Sequence, residues 1–195
     1  MKKDFFKDSA IKFPAYEPWI SNDDKRTVNK ALNQSMLTLG PQLEKFERSF
    51  CKYTKSKYAI AVSNGTAALH LSLKALGIKE HDEVIIPDLT FVADASAILA
   101  SNAKPVIVDI NKNNFFLSIS NLKKNITKRT KAIIPVHIYG QVCNIAEVLD
   151  VARNNNLKII EDCAHAIGTF YNSKHVGTLG DTGCFSFYPT KNITT

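Results

Sequence analysis

The sequence lacks the patterns that mark several classes of protein. It has no run of 18 or more apolar residues, so we expect no membrane span. Charged residues interrupt residues 1–8 too early for the apolar part of a signal peptide. The net charge is +7, but there is no block of like charges and no basic helix carrying aromatic residues. We therefore do not expect nucleic acid as a partner, and take the excess lysine as surface charge or as mild steering of an anionic ligand.

Cysteine is scarce, and its spacing excludes two further kinds of site. The four cysteines are far apart, and no C-x-x-C pair occurs: Cys51, Cys143, Cys163 and Cys184. Neither a metal site nor a disulfide framework is expected from such spacing. Reduced thiols are typical of the cytosol, so we predict a cytoplasmic protein.

What the chain does contain is an alternation of strand and helix patterns from Tyr58 onward. We predict strands at 58–62, 83–87, 105–110, 131–139, 158–163 and 184–187. We predict helices between them at 65–76, 91–101, 120–126 and 144–156. The strands are continuous runs of Val and Ile, as in a parallel sheet that is buried on both faces. The predicted fold class is therefore α/β, a mostly parallel sheet with helices on both faces.

The chain before this alternation has a different pattern. Residues 1–57 form a predicted N-terminal helical segment, with helices at 23–34 and 42–53. The second helix carries apolar residues at helical spacing, which predicts a core-facing side. Residues 58–195 are then predicted to form one large ligand-binding domain.

Ligands of open α/β sheets bind beyond the carboxyl ends of the strands. The first such position is the turn at 63–68, where Gly65, Thr66 and Ala67 are small enough for backbone amides to approach an anion. The alternative is a plain helix start, with Asn64 as the N-cap residue.

The next strand ends offer an aromatic ring, two carboxylates and an imidazole. Phe91 follows the strand at 83–87 and either stacks on a flat ligand or packs in the core. Glu161 and Asp162 end a buried strand, where a carboxylate is costly unless it is paired. One of them can bind a cationic ring nitrogen, and the alternatives are a helix cap and a surface residue. His165, taken alone, is more often structural than catalytic.

A lysine follows the last predicted strand. Burial lowers the pKa of a lysine and makes its amine a nucleophile for a carbonyl, although an isolated lysine is more often exposed. Lys191 therefore completes a set of four groups: an anion cradle, a stacking ring, an acid and an aldehyde-capturing amine. Pyridoxal 5'-phosphate requires this combination.

The sequence also resembles the DegT/DnrJ/EryC1/StrS sugar aminotransferase family, within the fold type I pyridoxal-phosphate enzymes. The resemblance runs from Pro18 to the last residue and rests on LTLGP, NGTAALHLSLKALGI, DEVIIPDLTFVADASAI, KPVIVDI, TKAIIPVHIYGQ, IIEDCAHAIG and GTLGDTGCFSFYPTKNITT. It implies transfer of an amino group from an amino acid, usually glutamate, to a nucleotide-linked keto-sugar. This amino transfer would serve the biosynthesis of surface polysaccharides or amino sugars.

The resemblance also implies a role for each matching residue. The cofactor phosphate would be held by Gly65, Thr66, Ala67 and Ser186, and Phe91 would stack on the cofactor ring.

Three further residues would carry the reaction itself. Asp162 would keep the ring nitrogen protonated, and His165 would lie near the phenolic oxygen of the ring. Lys191 would bind the cofactor aldehyde covalently and move protons. Lys191 and Asp162 are thus the implied catalytic residues.

Members of this family continue beyond the lysine motif, with an antiparallel strand and then a small C-terminal domain. The resemblance therefore implies that the large domain is incomplete here, that the small domain is absent and that the chain alone is inactive. A homodimer is implied for the full-length form. Two alternatives stay open: a non-catalytic fragment that pairs with another chain, and a nucleotide-binding dehydrogenase, which the missing G-x-G-x-x-G disfavours.

Overall fold

A five-stranded parallel sheet organises the computed structural model, which describes residues 18–194. The strands are β1 (Glu83–Pro87), β2 (Lys104–Val108), β3 (Thr130–Ile133), β4 (Lys158–Asp162) and β7 (Thr182–Cys184), with β5 (Phe170–Tyr171) and β6 (Lys174–His175) in a separate hairpin. The helices are α1 (Asn22–Leu32), α2 (Pro41–Thr54), α3 (Gly65–Ala75), α4 (Ala93–Ala100), α5 (Ile119–Asn125) and α6 (Ile145–Asn154), with a 3₁₀ turn at Ile138–Gly140. The sheet order is β2-β1-β3-β4-β7.

Alternating side chains of the strands divide the core into two layers. Val84 and Ile86 of β1 pack in the layer that contains α3 and α4, whereas Ile85 packs in the layer of α5 and α6. Ile160 and Ile159 of β4 are divided in the same way. Both faces of the sheet are therefore covered, which explains the continuous apolar runs and confirms the predicted fold class.

The same alternation decides where the two carboxylates of β4 lie. Side chains two residues apart on a strand share a face. Asp162 therefore shares the face of Ile160, toward α3 and α4, and Glu161 shares the face of Ile159.

The four helices predicted between the strands form within two residues of their expected ends. The N-terminal pair also forms, as α1 and α2, although the predicted segment 1–57 lies partly outside the described residues. Within residues 18–194, none of the helices has the length and apolar character needed to cross a membrane. All four cysteines are free thiols.

The predicted strand at 58–62 does not form. None of its residues is fully buried, and Tyr58 and Ile60 are 72% and 81% exposed. A groove of about 1120 Å³ lies between it and the segment 177–189. A strand exists only where a neighbour satisfies its backbone groups. No strand of the described chain pairs with residues 58–62, so the prediction is wrong for this structure.

Four other predicted strands are shorter than expected, and 158–163 loses only its last residue, since β4 ends at Asp162. Segment 105–110 is strand only to Val108, and 131–139 only to Ile133. Pro135 has no amide to donate to a ladder, and Tyr139 has a left-handed backbone with φ of 52°.

Segment 184–187 is a strand only at its first residue. The ladder between β4 and β7 ends with the pair Asp162 and Cys184, because β4 ends there. Phe185 and Phe187 instead pack on α2, with ring centroids 4.9 Å from Phe50 and 5.2 Å from Phe46, respectively.

The hairpin of β5 and β6 was not predicted. Its two connecting residues, Asn172 and Ser173, both have positive φ, the geometry of a two-residue hairpin turn. The dipeptide Asn-Ser is a weak signal for that turn, and each strand has only two residues.

Candidate active site

The predicted site residues lie around the carboxyl edge of the parallel sheet. Phe91 follows β1, Asp162 ends β4, and Ser186 and Lys191 follow β7. The N-terminus of α3 adjoins the same edge, since Gly65 contacts Ser186. The parallel order of the strands produces this convergence, because all their carboxyl ends lie on one side.

Asp162 is a buried carboxylate with one protein hydrogen-bond donor. Its side chain is 6% exposed, and its Oδ1 accepts a hydrogen bond of 2.8 Å from the Ala164 amide. Burial raises the pKa of Asp162, while the Ala164 hydrogen bond and the charges of His165 and Lys191 oppose this rise. The alternative of a surface residue, which concerned Glu161, is excluded as well, because Glu161 is also buried.

His165 lies half-buried beside Asp162 and stacks on Tyr139. The two rings are 5.6 Å apart between centroids and 18° from parallel, and the Tyr139 amide donates to His165 Nδ1 at 3.5 Å. Burial and the charge of Lys191 lower the pKa of His165, whereas Asp162 opposes them. A neutral imidazole that accepts at Nδ1 carries its hydrogen on Nε2. His165 thus keeps one donor for a ligand.

Lys191 is partly buried, at a turn that its amide closes on the Tyr188 carbonyl at 2.8 Å. Burial lowers the pKa of the Lys191 amine, and the Asp162 carboxylate acts in the opposite direction. Asp162, His165 and Lys191 therefore form one electrostatic cluster, in which each affects the titration of another.

The N-terminus of α3 closes against Ser186. A Cβ added to Gly65 would lie 3.2 Å from the Ser186 Cβ, so only a glycine allows this close approach without displacement. Asn64 caps the helix by accepting from the Ala67 amide at 2.8 Å. The plain N-cap interpretation is therefore correct for Asn64. The amides of Gly65 and exposed Thr66 point from the helix end, where amides have no intrahelical partner.

Phe91 does not pack in the core. Its side chain is 69% exposed, between the end of β1 and the start of α4. The core interpretation is excluded, and a large exposed aromatic ring beside a polar edge can stack on a ligand.

Glu161 is fully buried, and each of its two carboxylate oxygens accepts two hydrogen bonds from the protein. Its Oε1 accepts from the amides of Leu179 and Gly180, and its Oε2 from the Gly177 amide and from His137 Nε2, all within 3.0 Å. Burial opposes ionisation, but these hydrogen bonds leave the pKa of Glu161 below its usual value. Glu161 thus anchors the loop 177–180.

His137, Glu161 and Cys163 come within 4.8 Å of one another, a spacing that a metal ion could use. Hydrogen bonds within the protein explain this close spacing without a metal ion. His137 Nδ1 accepts from the Cys143 amide at 3.3 Å, so Nε2 carries the hydrogen donated to Glu161. Burial raises the pKa of the Cys163 thiol well above its ordinary value.

Sequence reasoning missed Asp94 and Tyr139. Asp94 lies in the first turn of α4, with no exposed surface and an electrostatic interaction with Asp162. The sequence did give a signal for Asp94, because it is the one charged residue in a helix of small and apolar residues, Ala93–Ala100. Tyr139 gave no such signal, because its contact with His165 depends on a left-handed backbone.

Comparisons with known proteins show which family and fold the chain shares. The family model described as "DegT/DnrJ/EryC1/StrS aminotransferase family" matches residues 18–195. GDP-perosamine synthase of Escherichia coli O157:H7 is 44% identical over 183 residues, which cover 93% of this chain and 50% of that protein.

Two solved structures have the same fold. Helicobacter pylori PseC, an aminotransferase of pseudoaminic acid biosynthesis, has a TM-score of 0.89 and 31% identity, covering 93% of this chain and 49% of that one. NtdA of Bacillus subtilis with bound cofactor PMP has a TM-score of 0.82 and 34% identity, covering 94% and 43%. The chain thus spans about half the length of the relatives that it matches.

Proposed function

We propose a function from the premise that the chain belongs to the DegT/DnrJ/EryC1/StrS aminotransferase family. The enzymes of this family are pyridoxal-phosphate-dependent sugar aminotransferases. The chain, as part of such an enzyme, moves an amino group from an amino acid, glutamate, to a nucleotide-linked keto-sugar. The similarity to a GDP-perosamine synthase supports a nucleotide sugar as the acceptor.

The observation that carries the proposal is the cluster of Asp162, His165 and Lys191 next to an open helix N-terminus. A buried carboxylate and a lysine of lowered pKa are the two groups that pyridoxal phosphate needs at its ring nitrogen and its aldehyde. The close approach of Gly65 to Ser186 puts the Ser186 hydroxyl beside the N-terminus of α3, the end of a helix that favours a phosphate. The residues present therefore fit the cofactor.

The N-terminus of α3 would bind the cofactor phosphate. The amides of Gly65 and Thr66 and the hydroxyls of Thr66 and Ser186 donate to its oxygens, aided by the positive end of the helix dipole. Ala67 joins them only if Asn64 releases its amide. Phe91, exposed at the same edge, covers one face of the ring.

Asp162 and His165 set the charge of the ring. Asp162 holds a proton on the ring nitrogen, because a buried carboxylate gains most from a cation that it contacts directly. His165 donates from Nε2 to the phenolic oxygen, since its Nδ1 is already occupied by the Tyr139 amide.

Lys191 provides the amine and moves the proton. When bound, pyridoxal phosphate supplies an aldehyde that accepts amino groups and a ring that accepts an electron pair. The lowered pKa leaves more of the Lys191 amine free to attack that aldehyde. The same Lys191 amine would be the base that takes a proton from the substrate carbon.

The proposal also includes a cytosolic location, in keeping with the four free thiols, and a homodimer of the full-length enzyme. Sedimentation of that enzyme should give a dimer, and a monomer at micromolar concentration would contradict this part.

Cofactor binding is the direct test. Titration of the chain with pyridoxal phosphate should produce the visible absorption of a covalent lysine adduct. Borohydride reduction and peptide mapping should then place the label on Lys191. A Lys191→Met variant should show no adduct, whereas the control Lys174→Met, on the hairpin, should bind as the parent does. Label on Lys174 or Lys158 would contradict the assignment.

The donor and the acceptor need a second measurement. In the full-length enzyme, glutamate should bleach the visible absorption, and a nucleotide-linked keto-sugar should restore it. Restoration by a free keto-sugar alone, or by pyruvate as readily, would argue against a nucleotide sugar.

A further inference from the structure

The turn that follows β3 places the Tyr139 ring against the ring of His165. The two ring centroids are 5.6 Å apart and the ring planes differ by 18°, so the rings are stacked. The Tyr139 amide also donates to His165 Nδ1, at 3.5 Å. One residue thus contacts the imidazole both on its face and at one ring nitrogen, although the two are 26 residues apart in the chain.

Tyr139 makes these contacts from an unfavourable backbone conformation. Its φ is 52° and its ψ is 31°, in the left-handed region, where residues other than glycine are uncommon and the conformation costs free energy. The Tyr139 side chain is 76% exposed, so burial of its ring does not offset that cost. Strain without burial, at the edge of a candidate site, points to a role in that site.

Contacts on both sides hold the turn in this conformation. On one side, the His137 amide donates to the Asp162 carbonyl at 3.0 Å, which ties the start of the turn to the end of β4. On the other side, the Thr169 hydroxyl donates to the Gly140 carbonyl at 3.0 Å. Thr169 directly precedes β5, so the hairpin supports the turn. Because His165 lies in the chain between these two anchors, the turn is fixed relative to its imidazole.

We infer that Tyr139 is a positioning residue for His165: its ring and its amide hold the imidazole in one orientation and one tautomer, with the hydrogen on Nε2. An amide donates only to a ring nitrogen that carries no hydrogen, so the contact at Nδ1 leaves the hydrogen of a neutral imidazole on Nε2. The stacked ring restricts the terminal torsion of the imidazole, which is otherwise broad. The use of Nε2 at the phenolic oxygen of the cofactor rests on the proposed function, whereas the orientation of the imidazole does not.

The first arm of the test uses the chain without cofactor and nitrogen-15-labelled histidine. The parent should show separate signals for a bare Nδ1 and a hydrogen-bearing Nε2 of His165, identified by their loss in His165→Gln. Tyr139→Gly removes the ring and lets the backbone leave the left-handed region, so these signals should move toward a tautomer average. Tyr139→Phe keeps the stacked ring and should keep the signals of the parent. The control Asn156→Gly changes another exposed left-handed residue, which precedes β4 at the opposite edge of the sheet, and should also keep them.

The second arm measures the affinity for pyridoxal phosphate in a double-mutant cycle, which separates positioning from other roles. Tyr139→Gly should weaken binding about fivefold, the equivalent of one hydrogen bond, and Tyr139→Phe should recover most of that loss. In a His165→Ala background the same Tyr139→Gly change should alter the affinity by less than about twofold, because Tyr139 acts through the imidazole. The free energy of unfolding of Tyr139→Gly should stay close to that of the parent, since relief of the left-handed strain offsets the greater entropy of an unfolded glycine.

Each outcome decides a separate statement. Unchanged His165 signals in Tyr139→Gly, or averaged signals in Tyr139→Phe, would overturn the role of the stacked ring. A fivefold loss of affinity in both backgrounds would mean that Tyr139 acts without His165, and would overturn the positioning role. If Tyr139→Gly does not fold, Tyr139→Ala, which also removes the ring, takes its place in both arms. A parent chain that takes up no cofactor would refute the proposed function, and the first arm alone would then decide the orientation of His165.

Discussion

The two carboxylates at the end of β4 are neighbours in sequence and have opposite environments. Glu161 accepts four hydrogen bonds, and its pKa is lowered. Asp162 has one protein donor at its side chain, and its pKa is raised. The sheet separates them, because adjacent side chains of a strand point to opposite faces.

The difference shows how one strand can serve both structure and chemistry. On one face, the hydrogen bonds to Glu161 hold the loop 177–180 against the sheet, and leave no lone pair for a ligand. On the other face, Asp162 is left under-satisfied beside a lysine and a histidine, ready for a cationic partner. A buried carboxylate without enough donors is a cost to the fold that a bound cation can offset.

The largest effect on stability is expected at Glu161. Glu161→Ala leaves the amides of the loop 177–180 and His137 without their acceptor. We expect the free energy of unfolding to fall by about 3–5 kcal/mol, as for other buried networks that lose one partner. Urea unfolding at neutral pH measures it. A loss below ~1 kcal/mol would mean that the loop has other anchors.

The pH dependence of that stability follows from the lowered pKa of Glu161. The unfolded carboxylate takes a proton below about pH 4.3, and the folded one resists it to a lower pH. Its stabilisation is therefore present above that pH and is lost as the pH falls through the folded value. Glu161→Gln should unfold with a weaker acid dependence than the parent.

Replacing Asp162 should change the free energy of unfolding in the opposite direction. Its raised pKa means that ionisation opposes folding, so Asp162→Asn should increase the free energy of unfolding at neutral pH, by about 1 kcal/mol. The gain should disappear below pH ~4, where both forms are neutral. Pyridoxal phosphate should bind at least about tenfold more weakly, since a carboxylate to ring-nitrogen contact is lost. Unfolding and cofactor titration on the same sample check both.

A smaller contrast is expected at the start of α3. Asn64→Ala removes the cap on the Ala67 amide and should cost ~1 kcal/mol of stability. Thr66→Val changes an exposed residue and should cost less than ~0.5 kcal/mol, while it weakens cofactor binding about fivefold. If Thr66→Val weakens folding as much as Asn64→Ala does, Thr66 is part of the cap and not of a phosphate site.

Lys191 should have the smallest effect on the fold. It is partly exposed and makes no side-chain hydrogen bond within the described part of the chain, so Lys191→Met should change the unfolding free energy by less than ~0.5 kcal/mol. Its loss should also raise the pKa of Asp162 further, because the lysine charge opposes the effect of burial. A carbon-13 titration of the Asp162 carboxyl group would measure that shift. An unchanged pKa would place the lysine outside the cluster.

Much of the fold could be predicted from the sequence. Continuous Val and Ile runs separated by helical patterns predicted the strand at 83–87 and the four crossover helices, because burial on both faces leaves a plain signal. The ends of strands could not be predicted as well. Segment 131–139 is mostly apolar, yet only residues 131–133 of it belong to a strand. Beyond them it pairs with β4 irregularly, through the Pro135 carbonyl and an isolated bridge at Val136.

The prediction of a strand at 58–62 was wrong for a reason that the local sequence does not show. Apolar character makes a segment able to form a strand, but a neighbouring strand must supply the hydrogen bonds. In the described structure these residues instead border the groove, and the Ala61 amide donates to Glu47.

The positions of the candidate site residues followed from sequence, because parallel strands put all their carboxyl ends on one edge. The alternation of strand and helix was enough to bring Phe91, Asp162 and Lys191 to that edge, whatever the details of packing. The family resemblance added a predicted role for each residue.

Tertiary structure decided the state of each group. The partners of Glu161 lie 16 to 24 residues away along the chain, and the charge of Asp162 raises the pKa of Asp94 only because α4 crosses the same face of the sheet. Whether a carboxylate is satisfied, charged or in need of a cation depends on burial and on distant donors. Residue type and spacing therefore determined where the candidate site lies, and long-range packing determined which of two adjacent acids keeps hydrogen-bonding capacity for a ligand.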